Sequence, residues 1–310
     1  MHSAHFPVSC AFTQGVVEFL VNVKSNWNLK VKSLSEYNIK TPEVNKIIDV
    51  HAHIFPDKVA EKAVENIGSY YGIPMYGKGT VSDLFESGGK IGVYRYIVHS
   101  TATKPEQVKH INNYIASAQA SNSCITGFGT LHPELKNTEI KTEVERLQSL
   151  GISGIKLHPD FQGFDIDQEN MIPIYSAIEG KLPLLIHMGD KNKTSSSPKR
   201  LARILKMFPG LTVIAAHMGG YTMWDESMEY LVGKNVYFDT SSTLMFLDKS
   251  RAVEMIRAHG AGKVLFGTDY PMWSHQDELQ RLHDLGLSAD ELELIFWKNA
   301  SGILGINLSA

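Results

Sequence analysis

Cysteine is almost missing from this chain: Cys10 and Cys124 are the only two in 310 residues. No disulfide framework can be built from them, so a reducing compartment, the cytoplasm, is the expected setting. Long apolar runs are missing as well, since nothing approaches the roughly 18 residues that a membrane span needs. The stretch 16–23 is apolar but short, and no Lys/Arg cluster precedes it, so neither a membrane anchor nor a cleaved leader is expected. Charge of one sign is absent too. Thirty Lys and Arg against 33 Asp and Glu leave a net −3, which gives no basic surface for nucleic acid and points to a small-molecule partner. A hydrophobic share of 43% still leaves ample material for a large core. Oligomeric state is left open between monomer and homodimer.

What the sequence does contain is a rhythm. From residue 46, β-branched or apolar runs alternate with amphipathic stretches, separated by loops bearing Gly, Pro or Asp. Strands are expected over 46–53, 92–99, 125–131, 154–158, 183–187, 212–217, 235–240 and 263–269. Helices are expected over 57–70, 105–120, 137–150, 168–179, 198–208, 223–231, 248–259 and 275–285, and a closing helical pair over 289–304. Eight βα units predict a parallel sheet closed into a (β/α)8 TIM barrel over 46–310. An open doubly wound sheet is the competitor. It would want a Gly-rich phosphate turn after the first strand, where this chain has Ile54, Phe55 and Pro56. Residues 1–45 lack the rhythm and read as an N-terminal extension, with a helix expected at 15–23.

Seven of the thirteen histidines fall at or near predicted strand ends: His51, His53, His99, His132, His158, His187 and His217. In a parallel barrel all these ends share one face, where barrel active sites are built. Alternation along a strand turns His51 and His53 to the same side, with Asp49 expected on that side one step deeper. A third imidazole from His187 and the carboxylate of Asp269 would complete a set suited to zinc or another divalent transition metal, with one coordination place left for water. Each feature has a plainer reading, as core histidines or as turn chemistry before Pro271. The joint reading draws its force from one fold bringing four such ends together.

The segments IIDVHAHIFP (47–56), GIKLHPDFQGFD (154–165), LLIHMGD (184–190), VIAAHMGG (213–220), VYFDTSS (236–242) and VLFGTDYPM (264–272) resemble the amidohydrolase-related branch of the amidohydrolase superfamily. The pattern is similar to predicted metal-dependent hydrolases and to decarboxylases of the aminocarboxymuconate-semialdehyde and resorcylate type. The resemblance implies that His51, His53, His187 and Asp269 bind a divalent metal, zinc or manganese, and that His217 polarises the substrate or ligates a second ion. Lys156 stands where dihydroorotase-like members carry a carboxylated lysine bridging two ions. Its three readings are that bridge, an anchor for a substrate anion and a core ion-pair partner, so one ion or two stays open. His158 shares this second-metal or substrate role.

The expected chemistry is hydrolysis of a small amide, ester or lactone by a water whose pKa the metal lowers towards about 7. Asp269 would shuttle the proton, and His217 would help to stabilise the oxyanion. Decarboxylation of an aromatic or unsaturated acid is the rival, and a metal-containing binding barrel without activity is the non-enzyme alternative. Phe161, Phe164, Tyr221, Trp224, Met272 and Trp273 follow strand ends and would wall the pocket, while Lys191, Lys193, Lys199 and Arg200 would attract an anionic substrate if they are more than a solvated loop.

Overall fold

Eight short parallel strands succeed one another around a ring in the computed structural model, which describes residues 46–306. They are β1 (Ile47–His53), β2 (Val93–His99), β3 (Ile125–Gly129), β4 (Gly154–Leu157), β5 (Leu184–Ile186), β6 (Val213–Ala215), β7 (Tyr237–Asp239) and β8 (Val264–Leu265). The ring closes between its last and first members: Val50 N–H donates to Phe266 O at 3.0 Å, and Ala52 bridges Tyr270 in parallel sense. This is the (β/α)8 barrel.

Around the ring run α1 (Asp57–Tyr71), α2 (Val81–Gly89), α3 (Val108–Ser121), α4 (Asn137–Ser149), α5 (Ile172–Ile178), α6 (Pro198–Met207), α7 (Trp224–Tyr230), α8 (Lys249–His259) and α9 (His275–His283). Between strands and helices lies a continuous apolar layer that includes Leu147, Ile155, Leu184, Ile186, Val213 and Phe238. A second cluster fills the lumen: Ile48, Val50, Ile97, Phe128, Leu185, Ile214, Ala216 and Leu265, with Ala300 beneath them and Trp297, Ile303 and Leu304 packed against them. The lumen is therefore a packed core, and chemistry is left to the opposite end, beyond the C-termini of the strands.

Four details depart from the sequence reading. The paired strands are shorter than expected, so His187, His217 and Asp269 sit in the turns just past β5, β6 and β8 rather than inside them. Helix α2 was not foreseen, although Thr80 accepts from Asp83 N–H at its start and the T-x-x-D pattern is a legible cap. The closing pair is one helical run, Ala289–Glu293 continuing through a π-helical turn, Leu294–Lys298, into Asn299–Leu304. Asp49 does not share the side of His51. The β1–β2 register slips between Asp49 and Ala52, and such a bulge re-aims the side chains beyond it. Ile48 and Val50 enter the lumen cluster, Asp49 turns to Thr268 and His275, and His51 and His53 line the pocket. The helix expected at 15–23 lies outside the described residues.

Candidate active site

A pocket lies beyond the strand ends. His51 and His53 reach it from β1, Lys156 from β4, and His158, His187, His217 and Asp269 from the turns after β4, β5, β6 and β8. Ile67 and Tyr71 of α1, with Met75 just after it, form a roof, and Phe161, Pro271 and Met272 complete an apolar wall. Gly267 is needed beside this floor, because a Cβ there would stand 3.0 Å from His51 Cβ. Gly189 is needed after β5: its φ is +84°, and a Cβ would meet Tyr221 N at 2.5 Å.

The hydrogen bonds settle which imidazole nitrogens are lone pairs. His51 Nδ1 faces the Asp239 carboxylate at 2.9 Å and must donate there, leaving Nε2 as a lone pair directed at Lys156 Nζ (2.9 Å) and near Asp269 Oδ1 (3.3 Å). His53 Nε2 is also 3.3 Å from that oxygen. His187 Nε2 faces Gly189 O at 3.1 Å, and His217 Nδ1 faces Ser241 O at 3.0 Å, so both donate to carbonyls. As neutral rings they are left with His187 Nδ1 and His217 Nε2 as lone pairs, 3.0 Å apart. Two lone pairs at that distance call for a proton or a cation between or beside them. Ligating histidines characteristically donate the other ring N–H to a carboxylate or a carbonyl, as His51, His187 and His217 do. The donor set fits a divalent ion.

Burial lowers His53 and His217 to about 4 and places His187 and His158 well below the ordinary imidazole value, so these rings are neutral near pH 7 and ready to ligate. Burial works against ionised Asp269, but the His51, His53 and His217 rings outweigh it and hold the carboxyl well below its usual range. Asp239 is held at about 2, burial again being outweighed, chiefly by His51. Burial draws Lys156 down to about 8, with Asp269 and Asp239 opposing.

His51, His217 and Asp269 bring one ligand atom each within 4.8 Å of one another, as do His51, His53 and His99. His99 is fully buried, with neither ring nitrogen hydrogen-bonded, and stands edge-on to His53. His158, Asp160 and His187 form a third group, but the two rings are stacked 3.8 Å apart and within 8° of parallel. Parallel planes at that spacing cannot both contain one ion, so His158 is a wall of the pocket rather than a partner of His187 in a chelate. His132 is remote from the pocket and accepts from Glu134 N–H.

Of the expected aromatic walls, Phe161 borders the pocket and stacks on His158 at 3.9 Å. Phe164 is buried in the apolar layer instead, Tyr221 stands edge-on to Tyr71 one ring further out, Trp224 donates to His217 O, and Trp273 donates to Ser242 Oγ. Lys193 is tied to Tyr70 OH at 2.7 Å, and Arg200 is paired with Asp165 and Asp167. The sequence reading missed Asp239 and Ser241, which hold His51 and His217, and Ser242, which donates to Asp269 Oδ2 at 2.6 Å. All three lie in the quoted VYFDTSS segment. It also missed Tyr71, whose hydroxyl is 3.1 Å from His158 Nε2.

The amidohydrolase family model matches residues 48–306. No curated protein matches the chain. Among solved structures, the chain is similar to the 5-carboxyvanillate decarboxylase of Sphingomonas paucimobilis (16% identity, 85% of this chain and 100% of that one, TM-score 0.68). A dihydroxybenzoic acid decarboxylase of Polaromonas sp. JS666, with bound manganese and the inhibitor 2-nitroresorcinol, is 17% identical over 86% and 98% of the chains, TM-score 0.61. A 2-pyrone-4,6-dicarboxylic acid hydrolase candidate of Pseudomonas putida is 16% identical over 85% and 98%, TM-score 0.61. At these identities the likeness carries the fold alone.

Proposed function

We propose, from the premise that the chain belongs to the amidohydrolase family, that it is a metal-dependent carboxy-lyase acting on a small, planar aromatic or unsaturated carboxylic acid. The observation that carries this reading is the Lys156 ammonium, fully buried at the floor of a pocket whose roof and wall are Ile67, Met75, Phe161 and Met272. The same ammonium lies at the polar floor of a pocket whose upper walls are apolar, so a substrate carbon set over it would find an N–H proton donor beneath it. When bound, a divalent ion would hold and polarise oxygen atoms of the substrate. His51, His53, His187 and Asp269 would hold that ion; the nitrogen-rich set suits zinc, and manganese is the alternative that the Polaromonas decarboxylase carries.

In the reaction the bond between the carboxyl carbon and its neighbour breaks, CO2 leaves, and the remaining carbon takes a proton. Lys156 Nζ is an N–H donor lining the pocket and supplies it. Tyr71 in the roof and Phe161 in the wall bound the space that the substrate would fill. Asp269 serves as ligand and fixed negative charge. Its Oδ2 accepts from Ser242, which Trp273 holds in turn, and in this reading the proton donor is Lys156 rather than Asp269.

Hydrolysis of a lactone or amide is the second reading, favoured by His217. With Nδ1–H committed to Ser241 O, its Nε2 lone pair faces the pocket and could take a proton from water. A panel of aromatic and unsaturated acids, lactones and amides, tested on zinc- and manganese-loaded protein with CO2 release and hydrolysis followed together, decides between them. CO2 from an acid is the expected result. Ring opening without CO2 would transfer the reading to hydrolysis, and metal-loaded protein inert to the whole panel would favour a binding barrel.

A further inference from the structure

The geometry points to Asp49 as the positioning residue of the metal centre, the group that fixes β1 and the turn after β8 to each other so that His51 and Asp269 converge. The inference rests on the proposed metal-dependent function.

Asp49 is fully buried and does not itself line the pocket. Its Oδ1 accepts from His51 N–H at 3.0 Å and from Thr268 N–H at 3.1 Å. Oδ2 accepts from Thr268 Oγ at 2.6 Å, and His275 Nε2 stands 3.1 Å away from it. One oxygen thus carries the backbone of a ligand residue on β1 and the backbone of the residue just before the ligand Asp269. Backbone pairing joins the two segments on either side, Val50 N–H to Phe266 O at 3.0 Å and His53 N–H to Tyr270 O at 2.6 Å, and between those two bonds Asp49 is the link, through the N–H groups of His51 and Thr268.

Behind the carboxylate the contact continues outward, with His275 Nδ1 2.8 Å from Ser87 Oγ on α2. Ser, His and Asp in line resemble a hydrolytic triad. Yet Ser87 and His275 are buried between the barrel and its helices, and neither borders the pocket, so the line holds no nucleophile. His275 Nε2 approaches Oδ2 without hydrogen-bond geometry, so the bonds that join the two ligand-bearing segments are those Asp49 accepts from His51 and Thr268.

Ligand direction is what such a brace controls, and loss of an outer partner of a metal ligand typically costs about 10–100-fold in metal affinity. The test is cobalt(II) titration of the full chain, reading affinity by chelator competition and geometry by the visible d–d bands. Asp49→Ala should bind cobalt about 10–100-fold more weakly with shifted bands. Asp49→Asn should stay within about threefold of wild type, because its carbonyl oxygen keeps both backbone N–H bonds while its amide N–H can donate to the Thr268 hydroxyl oxygen, reversing that bond. Leu147→Ala, a cavity between α4 and the barrel, serves as the stability control and should melt earlier with unchanged cobalt affinity and bands. If Asp49→Ala fails to fold, Thr268→Val, which deletes the hydroxyl that donates to Oδ2 and accepts from Tyr270 N–H, takes its place and should weaken cobalt binding measurably.

Wild-type affinity and bands in Asp49→Ala, or in Thr268→Val where that variant stands in, would overturn the assignment. So would Asp49→Asn failing as badly as Asp49→Ala, or Leu147→Ala losing affinity in step with its stability. Wild-type protein that binds no cobalt would instead sink the metal-dependent function itself, and the positioning role with it.

Discussion

Lys156→Met should tighten metal binding while abolishing turnover. The Lys156 ammonium lies 2.9 Å from His51 Nε2, the lone pair that an ion would use, because His51 Nδ1 is committed to Asp239. An ion taking that lone pair must first displace a buried hydrogen bond from a charged donor, worth about 1.5–3 kcal/mol. It must also tolerate the ammonium as a neighbour, where two unit charges 4 Å apart at an effective dielectric of 20 repel by about 4 kcal/mol. Burial lowers the lysine only to about 8, so at pH 7 most molecules carry the charge. Methionine fills the same unbranched, buried space without the cation. Taking the hydrogen bond alone, at about 1.4 kcal/mol per tenfold, zinc affinity measured by chelator competition at pH 7 should rise by about 10–100-fold. CO2 release from whichever acid the wild type accepts should disappear. The reasoning fails if Lys156→Met binds zinc more weakly or holds fewer ions per chain. That outcome would make the lysine a ligand, as a carboxylated bridge would be, and would return the two-ion reading to the front.

Asp269→Asn should lose metal retention and turnover together, and added metal should restore occupancy better than rate, since the amide replaces a fixed charge; full kcat at full occupancy would remove Asp269 from the centre. Ser242→Ala removes the donor to Asp269 Oδ2 and the acceptor of Trp273 Nε1–H and should cost about tenfold or less in zinc affinity, checked by the same competition. Tyr71→Ala opens the roof and should raise KM with metal content unchanged; a loss of bound metal instead would place Tyr71 nearer the ion than the pocket lining suggests. His259 tests the acid side of stability away from the site. Its Nδ1 accepts from Gly233 N–H and its Nε2 donates to Val236 O, so only the neutral ring fits, and burial lowers it from 6.5 to about 4. Its stabilisation is complete above pH 6.5 and is lost as pH falls towards 4, about 2 kcal/mol by pH 5. Urea midpoints at pH 7 and 5 should show a smaller acid loss in His259→Gln than in wild type, and equal losses would refute the assignment.

The barrel was legible because its evidence is local and repeated. Runs such as Ile47–Val50 and Leu184–Ile186 announce strands by composition, and eight of them with intervening helical periods leave few topologies. The histidines at strand ends were legible for a related reason, since a parallel barrel turns order along the chain into proximity at one face. Asp49 was misplaced because alternation assumes an unbroken register, and a bulge is specified by the neighbouring strand rather than by the bulged sequence. Tyr71 was invisible for the opposite reason. It belongs to a helix whose apolar positions read as ordinary amphipathicity, and only the path of the chain after β1 lays that helix over the pocket.

The turns that present His217 and Asp269 to the pocket were the least legible of all. His217, Met218 and Asp269 take φ of 60°, 52° and 57°, a left-handed backbone that a glycine would adopt freely and that costs other residues about 1–3 kcal/mol each. No glycine occupies these positions, because an imidazole and a carboxylate are needed there. The offset comes from bonds made elsewhere in the chain: Asp239 accepts from His217 N–H, Ser227 Oγ donates to Met218 O, Ser242 Oγ donates to Asp269 Oδ2, and Thr268 accepts from Tyr270 N–H. A hydrogen bond to a charged group is worth about 1.5–3 kcal/mol, so the two carboxylate contacts alone match most of that strain. The VYFDTSS segment therefore supports the pocket without lining it. Its Asp and Ser residues hold in place a backbone that His217 and Asp269 would not adopt by themselves, and their role becomes readable only once β7 is seen beside β6 and β8.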